Sequence, residues 1–173
     1  MKNALWSNIF SNWQQEESQT VLTLKQVPIF SGLKPRELRA IENLVHVRTY
    51  QPGEMIFKRH APGEGMYIIL SGKVEIYLEP TPGERNVLAT LSDGDFFGEL
   101  SLLDDEARSA AAVAADATEL LGFFRPDLLS LLERNPELGN KILINLARVI
   151  SARLRKTNDL LTEAQQSRKH DDA

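Results

Sequence analysis

The chain has 173 residues, 42% of them hydrophobic, and a formal net charge of −4 at pH 7. This length is enough for one sizeable core with a few appended elements. The net charge gives no general attraction to nucleic acid or to an anionic membrane, although residues 134–169 alone carry a net +5. The absence of cysteine excludes disulfides, thiolate metal sites and a cysteine nucleophile, and it fits a reducing compartment.

Residues 1–19 are predicted to form an amphipathic helix followed by a polar linker. Apolar residues recur at helical spacing between Ser, Asn and Gln: Leu5, Trp6, Ile9, Phe10 and Trp13. This face favours packing on the domain or on a second copy, and docking to a partner or a lipid surface is the alternative. The segment has no continuous apolar core like that of a signal peptide, and no window of the chain reaches membrane-span length, so we expect a cytoplasmic protein.

Residues 20–155 are predicted to form one domain around a β-barrel that occupies about residues 45–124. Two helices precede the barrel, and Pro35 opens the second of them. From Val45 to Phe124 the apolar period changes to two, and turn signals recur at Pro52-Gly53, Pro62-Gly63, Ser71-Gly72, Pro82-Gly83 and Asp93-Gly94. Short strands with this punctuation are typical of an antiparallel sandwich or barrel, so the expected fold class is α+β and mainly β.

The chain after Phe124 is predicted to be helical again and to include one long helix over residues 140–166. Two adjacent stripes at coiled-coil spacing run along it: the more apolar one is Leu143, Ala147, Ile150, Leu154, Thr157 and Leu161, and the other is Ile142, Leu146, Val149, Arg153, Lys156 and Leu160. We expect the first half of the helix to pack in the core, and a dimer seam is an open alternative for its second half. Residues 156–173 are assigned to the end of this helix and a frayed tail from Ser167.

One stretch carries a candidate binding site: Gly94–Ala111, GDFFGELSLLDDEARSAA. A short helix that begins near Glu99 leaves backbone N–H groups unpaired, which makes its start an anion site. Gly98 lets a ligand approach this backbone closely. Arg108 supplies a guanidinium fork that suits a phosphate, whereas Glu99 would repel phosphate and accept a hydrogen bond from a sugar hydroxyl. The pattern predicts a ligand with one anionic end and one hydroxyl-bearing end.

These residues resemble a known family. FGELSLL followed by ARSAA is similar to the phosphate-binding cassette of cyclic nucleotide-binding domains. The resemblance extends outward through FSGLKPREL, YQPGEMIFKRHAPGEGMYIILSGKVEIY and LLGFFRPDLLSLLERNPEL, and it covers about residues 24–155. It implies a jelly-roll barrel, also called a double-stranded β-helix, with N-terminal helices and C-terminal helices around it.

The resemblance also implies a role for each matched residue. Glu99 corresponds to the ligand of the ribose 2′-hydroxyl, and Arg108 to the residue that pairs with the cyclic phosphate. Arg153 of the long helix is the candidate cap over the base, with Arg148 and Ser151 behind it. Backbone contacts are implied for Gly98, Leu100 and Ser101, and a further phosphate or base contact for Ser109. Ala110 is a further cassette residue of the implied site, and the barrel residues Ile76 and Leu88 would lie beside the base.

The expected function is a cyclic nucleotide sensor without catalytic activity, whose long helix closes over the ligand and signals to a partner or a second copy. Family prevalence favours cAMP over cGMP, although Ser109 could serve a guanine. The alternative from another class is a scaffold or dimerisation module in which Glu99 and Arg108 form a salt bridge in an empty site. No cofactor beyond the ligand is expected.

Two other functions are disfavoured by the sequence. A truncated transcription regulator is a minor alternative, because the roughly 20 residues after Arg153 leave no room for a winged helix-turn-helix. The acidic run Asp104–Glu106 lacks the alternating ligand spacing of a calcium loop, so we interpret it as a solvated loop and predict no metal site. No nucleotide-hydrolase or metal-hydrolase motif is present in the sequence.

Overall fold

The computed structural model of the protein describes residues 17–81 and 83–171, and the predicted Trp-bearing helix at residues 4–13 lies outside them. Helix α1, Gln19–Gln26, begins after Ser18, whose hydroxyl accepts the backbone N–H of Val21 at 3.1 Å. A 3₁₀ turn, Pro28–Phe30, leads into helix α2, Pro35–Glu42. Pro35 occupies the first turn of α2, as predicted, because its missing N–H has no partner to lose there.

The barrel consists of two four-stranded antiparallel sheets, which confirms the jelly-roll prediction, while the described residues as a whole are mixed α and β, with more of them in helices than in strands. The strands are β1 (His46–Tyr50), β2 (Met55–Phe57), β3 (Gly65–Ser71), β4 (Val74–Thr81), β5 (Glu84–Leu91), β6 (Phe96–Phe97), β7 (Ala111–Ala114) and β8 (Thr118–Phe124). One sheet has the order β1-β8-β3-β6 and the other β2-β7-β4-β5. A 3₁₀ turn, Glu99–Leu102, follows β6 at one end of the barrel.

Two helices complete the domain: α3, Arg125–Arg134, and α4, Pro136–Asp171. The prediction of one long C-terminal helix is therefore confirmed. The helix begins earlier than predicted, since Pro136 suits a first turn. It also continues through residue 155 without a break and extends to Asp171; the frayed tail expected from Ser167 stays a prediction.

The core has two layers that share the central strands β3 and β8. Alternate side chains of these strands point to opposite faces. Met66 and Leu121 pack against the helices, whereas Ile69 and Leu120 pack against the second sheet, and all four are fully buried. Burying an aliphatic side chain of this kind contributes about 1.5–3 kcal/mol, so the barrel and the helices form one cooperative core.

Helix α4 divides into a packed half and an exposed half. Ile142 and Leu146 are fully buried, and Asn145 donates hydrogen bonds to the carbonyls of Ile29 and Ser31 at 3.2 and 2.8 Å. Beyond this attachment, every side chain from 151 to 166 is exposed. The predicted core packing of the first half is confirmed, and the position of Arg153 just past the packed half brings it to the barrel opening.

No helix within residues 17–81 and 83–171 is both long enough and apolar enough to cross a membrane.

Candidate nucleotide-binding site

A cavity of about 600 Å³ lies between the 3₁₀ turn after β6, the strands β4 and β5, and helix α4. The structure brings nine of the ten predicted site residues to its lining: Gly98, Glu99, Leu100, Ser101, Arg108, Ser109, Ala110, Ile76 and Arg153. Ile76 and Ala110, 34 positions apart in the chain, meet there because the jelly roll places β4 beside β7, which follows the cassette loop directly. The cavity is large enough to hold a nucleotide-sized ligand.

Position 98 requires glycine, both for its backbone conformation and because a side chain there would meet Arg108. Its φ is +76°, a left-handed conformation that favours glycine. A Cβ atom built on Gly98 would lie 2.5 Å from Nη1 of Arg108. The glycine therefore starts the turn Glu99–Leu102 and also lets the arginine lie directly against the backbone, whereas from the sequence we expected a ligand to approach this backbone closely.

Arg108 is the buried cation of the cavity, with only 6% of its surface exposed. Its Nη1 donates to the carbonyl of Gly98 at 3.2 Å and to Oγ of Ser101 at 3.0 Å, and its Nη2 donates to the carbonyl of Gly65 at 2.8 Å. The buried Nε has no partner among the described residues. Burial lowers the pKa of the guanidinium below its ordinary value, but arginine remains charged.

The hydrogen bonds of Arg108 leave one edge of the guanidinium unused. A guanidinium has five N–H donors, and the three bonds above use two on Nη1 and one on Nη2. The remaining donors are therefore on Nε and Nη2, which are neighbours on one edge. Two parallel donors of this kind fit two oxygens of one phosphate. Ser101 was expected to contribute its backbone, whereas the structure uses its side-chain hydroxyl to hold this arginine.

Glu99 connects the cassette to helix α4. Its side chain is 5% exposed, and its Oε1 accepts a hydrogen bond from Nη1 of Arg153 at 2.5 Å. Nη2 of Arg153 donates to the carbonyl of Phe96 at 3.2 Å, and the guanidinium lies 4.7 Å from the centroid of that ring. Glu99 therefore forms its ion pair with Arg153 and not with Arg108, and one carboxylate contacts both the cavity and the long helix.

The residues expected behind Arg153 lie apart from this cavity. Arg148 donates to Oδ1 of Asn145 at 3.1 Å and lines a neighbouring groove, and Ser151 is exposed. Arg148 therefore lies toward the 3₁₀ turn Pro28–Phe30 and Ser151 faces solvent, so neither residue lines the cavity behind Arg153.

Leu88 was expected beside the base, but it does not line the cavity. Ile76 pairs with Ala89 while the next residue, Tyr77, pairs with Val87, so Leu88 is the extra residue of a β-bulge. Leu88 is 54% exposed, and the cavity wall is formed instead by Ile76, Ala89 and Leu91. A one-residue shift of register exchanges the two faces of a strand. The alternation of Ala89 with Leu91 was the sequence signal for the correct face.

Several cavity residues were not predicted. Phe57, Phe96 and Phe97 line it, and so do the acidic residues Asp104 and Glu106. The adjacent Phe96-Phe97 pair stands directly before the cassette glycine, so local sequence could have identified it. Phe57 lies on β2 and reaches the site only because β2 pairs with β7.

The fold and the site together define a jelly-roll domain with a cavity that is lined by a buried arginine and lies beside a long helix. The family model for the cyclic nucleotide-binding domain matches residues 47–135. The chain therefore belongs to the cyclic nucleotide-binding domain family, and its match spans the strands, the cassette and helix α3.

Relatives with known roles are similar to much of this chain. The cyclic AMP receptor protein of Thermus thermophilus is 39% identical over 80% of this chain and 64% of its own length. The cAMP-dependent protein kinase regulatory subunit of Aspergillus fumigatus is 38% identical over 53% of this chain and 21% of its own length. The crystal structure of the N-terminal domain of a Streptomyces coelicolor transcriptional regulator matches with a TM-score of 0.70 and 31% identity, over 80% of this chain and 94% of that one. The chain spans less than two thirds of each of these two full-length relatives.

Proposed function

We propose that the protein is a regulatory sensor that binds a cyclic nucleotide, with cAMP preferred over cGMP. The observation that carries the proposal is Arg108 in the cavity wall, because a buried guanidinium with neutral hydrogen-bond acceptors and unused donors on Nε and Nη2 favours an anionic ligand such as a phosphate. Glu99 would accept the ribose 2′-hydroxyl, since a carboxylate that receives one bond from Arg153 keeps further acceptor capacity. The preference for cAMP is supported by the names of the relatives.

The proposed mechanism is a population shift of helix α4. In it, the ligand and Arg153 share the carboxylate of Glu99, and Arg153 caps the base from above Phe96. A ligand that touches both the cassette and α4 favours the closed arrangement by its differential affinity for that arrangement. The exposed part of α4 beyond Ser151 would transmit the change, and no catalytic step is part of this proposal.

We also propose that the second half of α4 contacts a second copy of the chain. Leu154, Leu160 and Leu161 are 60%, 56% and 56% exposed, which is unusual for three leucines on one helix. Sedimentation equilibrium would show a dimer for the native chain. The double variant Leu154→Ser with Leu161→Ser should sediment as a monomer, and a dimer of unchanged affinity would contradict the proposal.

Calorimetric titration of the purified protein with cAMP and cGMP tests the ligand. We expect saturable binding of both, tighter for cAMP, and a stabilisation of about 2.7 kcal/mol at 100 times the dissociation constant. Arg108→Lys should weaken cAMP binding by about 10–100-fold, because an ammonium cannot reproduce the two-donor edge. Arg48→Lys is the control, because Arg48 lies on β1 outside the cavity and is paired with Glu54.

The outcomes of this titration separate the two functions. If neither nucleotide binds or raises the melting temperature at millimolar concentration, the scaffold function is favoured and the sensor proposal fails. If Arg108→Lys binds cAMP like the native protein, Arg108 does not hold the phosphate.

A further inference from the structure

Arg108 is buried over an aromatic ring that neither the cassette motif nor the family match assigns to the site. Its Cζ atom lies 4.3 Å from the centroid of Phe57 and 5.9 Å from that of Tyr67. We propose that Phe57 is a positioning residue, which holds the guanidinium of Arg108 in place at the wall of the cavity. This inference rests on the proposed function, since the position of the guanidinium matters only if it receives a phosphate.

No carboxylate among the described residues lies in direct contact with Arg108; burial lowers the pKa of its guanidinium, and Glu64 and Glu99 raise that pKa only from longer range. Its three hydrogen-bond acceptors are the carbonyls of Gly98 and Gly65 and the hydroxyl of Ser101, all of them neutral. Among residues 17–81 and 83–171 it forms no ion pair. The face of an aromatic ring carries partial negative charge, and its attraction for a cation is strongest where water is excluded. Phe57 therefore adds a close electrostatic contact to a guanidinium that no carboxylate touches directly.

The ring and the hydrogen bonds act on different parts of the guanidinium. The bonds hold Nη1 and Nη2, whereas Nε has no partner. Cζ is bonded to all three nitrogens and lies over the ring, so this contact restrains the guanidinium as a whole, including the Nε end. A phosphate would bind through N–H donors, whereas the ring contacts the group at Cζ, so one contact does not replace the other. The effect of Phe57 in this proposal is to position the guanidinium before ligand binds.

Phe57 is itself restrained by other rings. Its centroid lies 6.0 Å from Tyr67 and 5.9 Å from Phe97, and Tyr67 and Phe97 stack at 5.5 Å. Such pairs prefer defined offsets. The ring thus has a fixed orientation under Arg108, which a flexible aliphatic side chain would not have.

Replacement of Phe57 by mono-, di- and trifluorophenylalanine tests this role. Each fluorine withdraws electron density from the ring face with little change in size, so it weakens attraction for a cation without removing packing. We expect the dissociation constant for cAMP to rise with each fluorine, to about threefold for the trifluoro ring, and by about tenfold for Phe57→Leu. The control is trifluorophenylalanine at Phe124, which contacts Tyr67 but does not line the cavity.

The graded series separates an electrostatic role from a structural one. A steric role would lower the melting temperature of Phe57→Leu and leave the fluorinated series flat. If the native protein binds cAMP and the series is flat, or the Phe124 control weakens binding equally, the inference about Phe57 fails and the proposed function stands. If the native protein binds no cyclic nucleotide, the proposed function fails and this inference fails with it.

Discussion

Substitution of Gly98 by alanine would strain the backbone at residue 98 and displace Arg108 in the cavity wall. The residue has a φ of +76°, so any Cβ at this position is strained. The same Cβ would stand 2.5 Å from Nη1 of Arg108, and the guanidinium would have to move. The movement would break the bond from Nη1 to the carbonyl of Gly98 and turn the free edge away from its present direction.

The two effects of Gly98→Ala have different sizes and different readouts. The backbone strain should cost about 1–2 kcal/mol of folding free energy, which lowers the melting temperature by about 2–4 °C per kcal/mol in a chain of this length. Displacement of a fork that makes charge-assisted hydrogen bonds should cost a further 1.5–3 kcal/mol of binding, about 10–100-fold in the dissociation constant for cAMP.

A matched glycine separates these effects. Gly53 has a φ of +80°, and no atom lies within 4 Å of the Cβ it would acquire. Gly53→Ala should therefore lose about the same melting temperature as Gly98→Ala but bind cAMP like the native protein, with both properties measured by calorimetry. If Gly98→Ala also kept native affinity, the placement of Arg108 against this backbone would not matter for binding, and the reasoning would be refuted.

Three further predictions concern the helix α4. Arg153→Gln should abolish the protection from hydrogen exchange that cAMP gives to residues 151–160, because the contact with Glu99 is lost; unaltered protection would exclude Arg153 from the coupling. Lys141 and the backbone of Lys34 donate hydrogen bonds to Glu37 and lower the pKa of its carboxylate. The charged carboxylate therefore stabilises the fold above its unfolded pKa near 4.5, and this stabilisation is lost as the pH falls through the lower pKa of the folded state. Glu37→Gln should therefore show a smaller loss of unfolding free energy than the native protein between pH 5 and acid pH, about pH 3, and parallel profiles would contradict this. Leu146→Ala, at a fully buried position, should lower the free energy of unfolding in urea by about 2–5 kcal/mol. Ile144→Ala is the control: Ile144 is 54% exposed, so this change should lower the free energy of unfolding by under about 0.5 kcal/mol. Equal losses in the two variants would contradict the packing of α4.

The cassette could be predicted from the sequence because its requirements are local. Gly98, Glu99 and Arg108 lie within eleven consecutive residues, and each is dictated by chemistry that needs no distant partner: a left-handed backbone, a hydroxyl acceptor and a cation. The barrel was predictable for the same reason, since the period of two and the glycine turns are properties of short segments. The role of each cassette residue in binding stays a prediction until ligand is measured.

The remaining contacts depend on pairings between distant segments, which local patterns do not specify. The partner of Glu99 is Arg153, 54 residues later in the chain. The packing of α4 on the 3₁₀ turn Pro28–Phe30 brings Oε1 of Glu99 and Nη1 of Arg153 to 2.5 Å. Leu88 was wrongly expected at the wall because a bulge between β4 and β5 moves it to the outer face. Phe57 reaches Arg108 through the pairing of β2 with β7. Sequence alone determined the chemical groups of the site, whereas strand register and helix packing decided which groups meet.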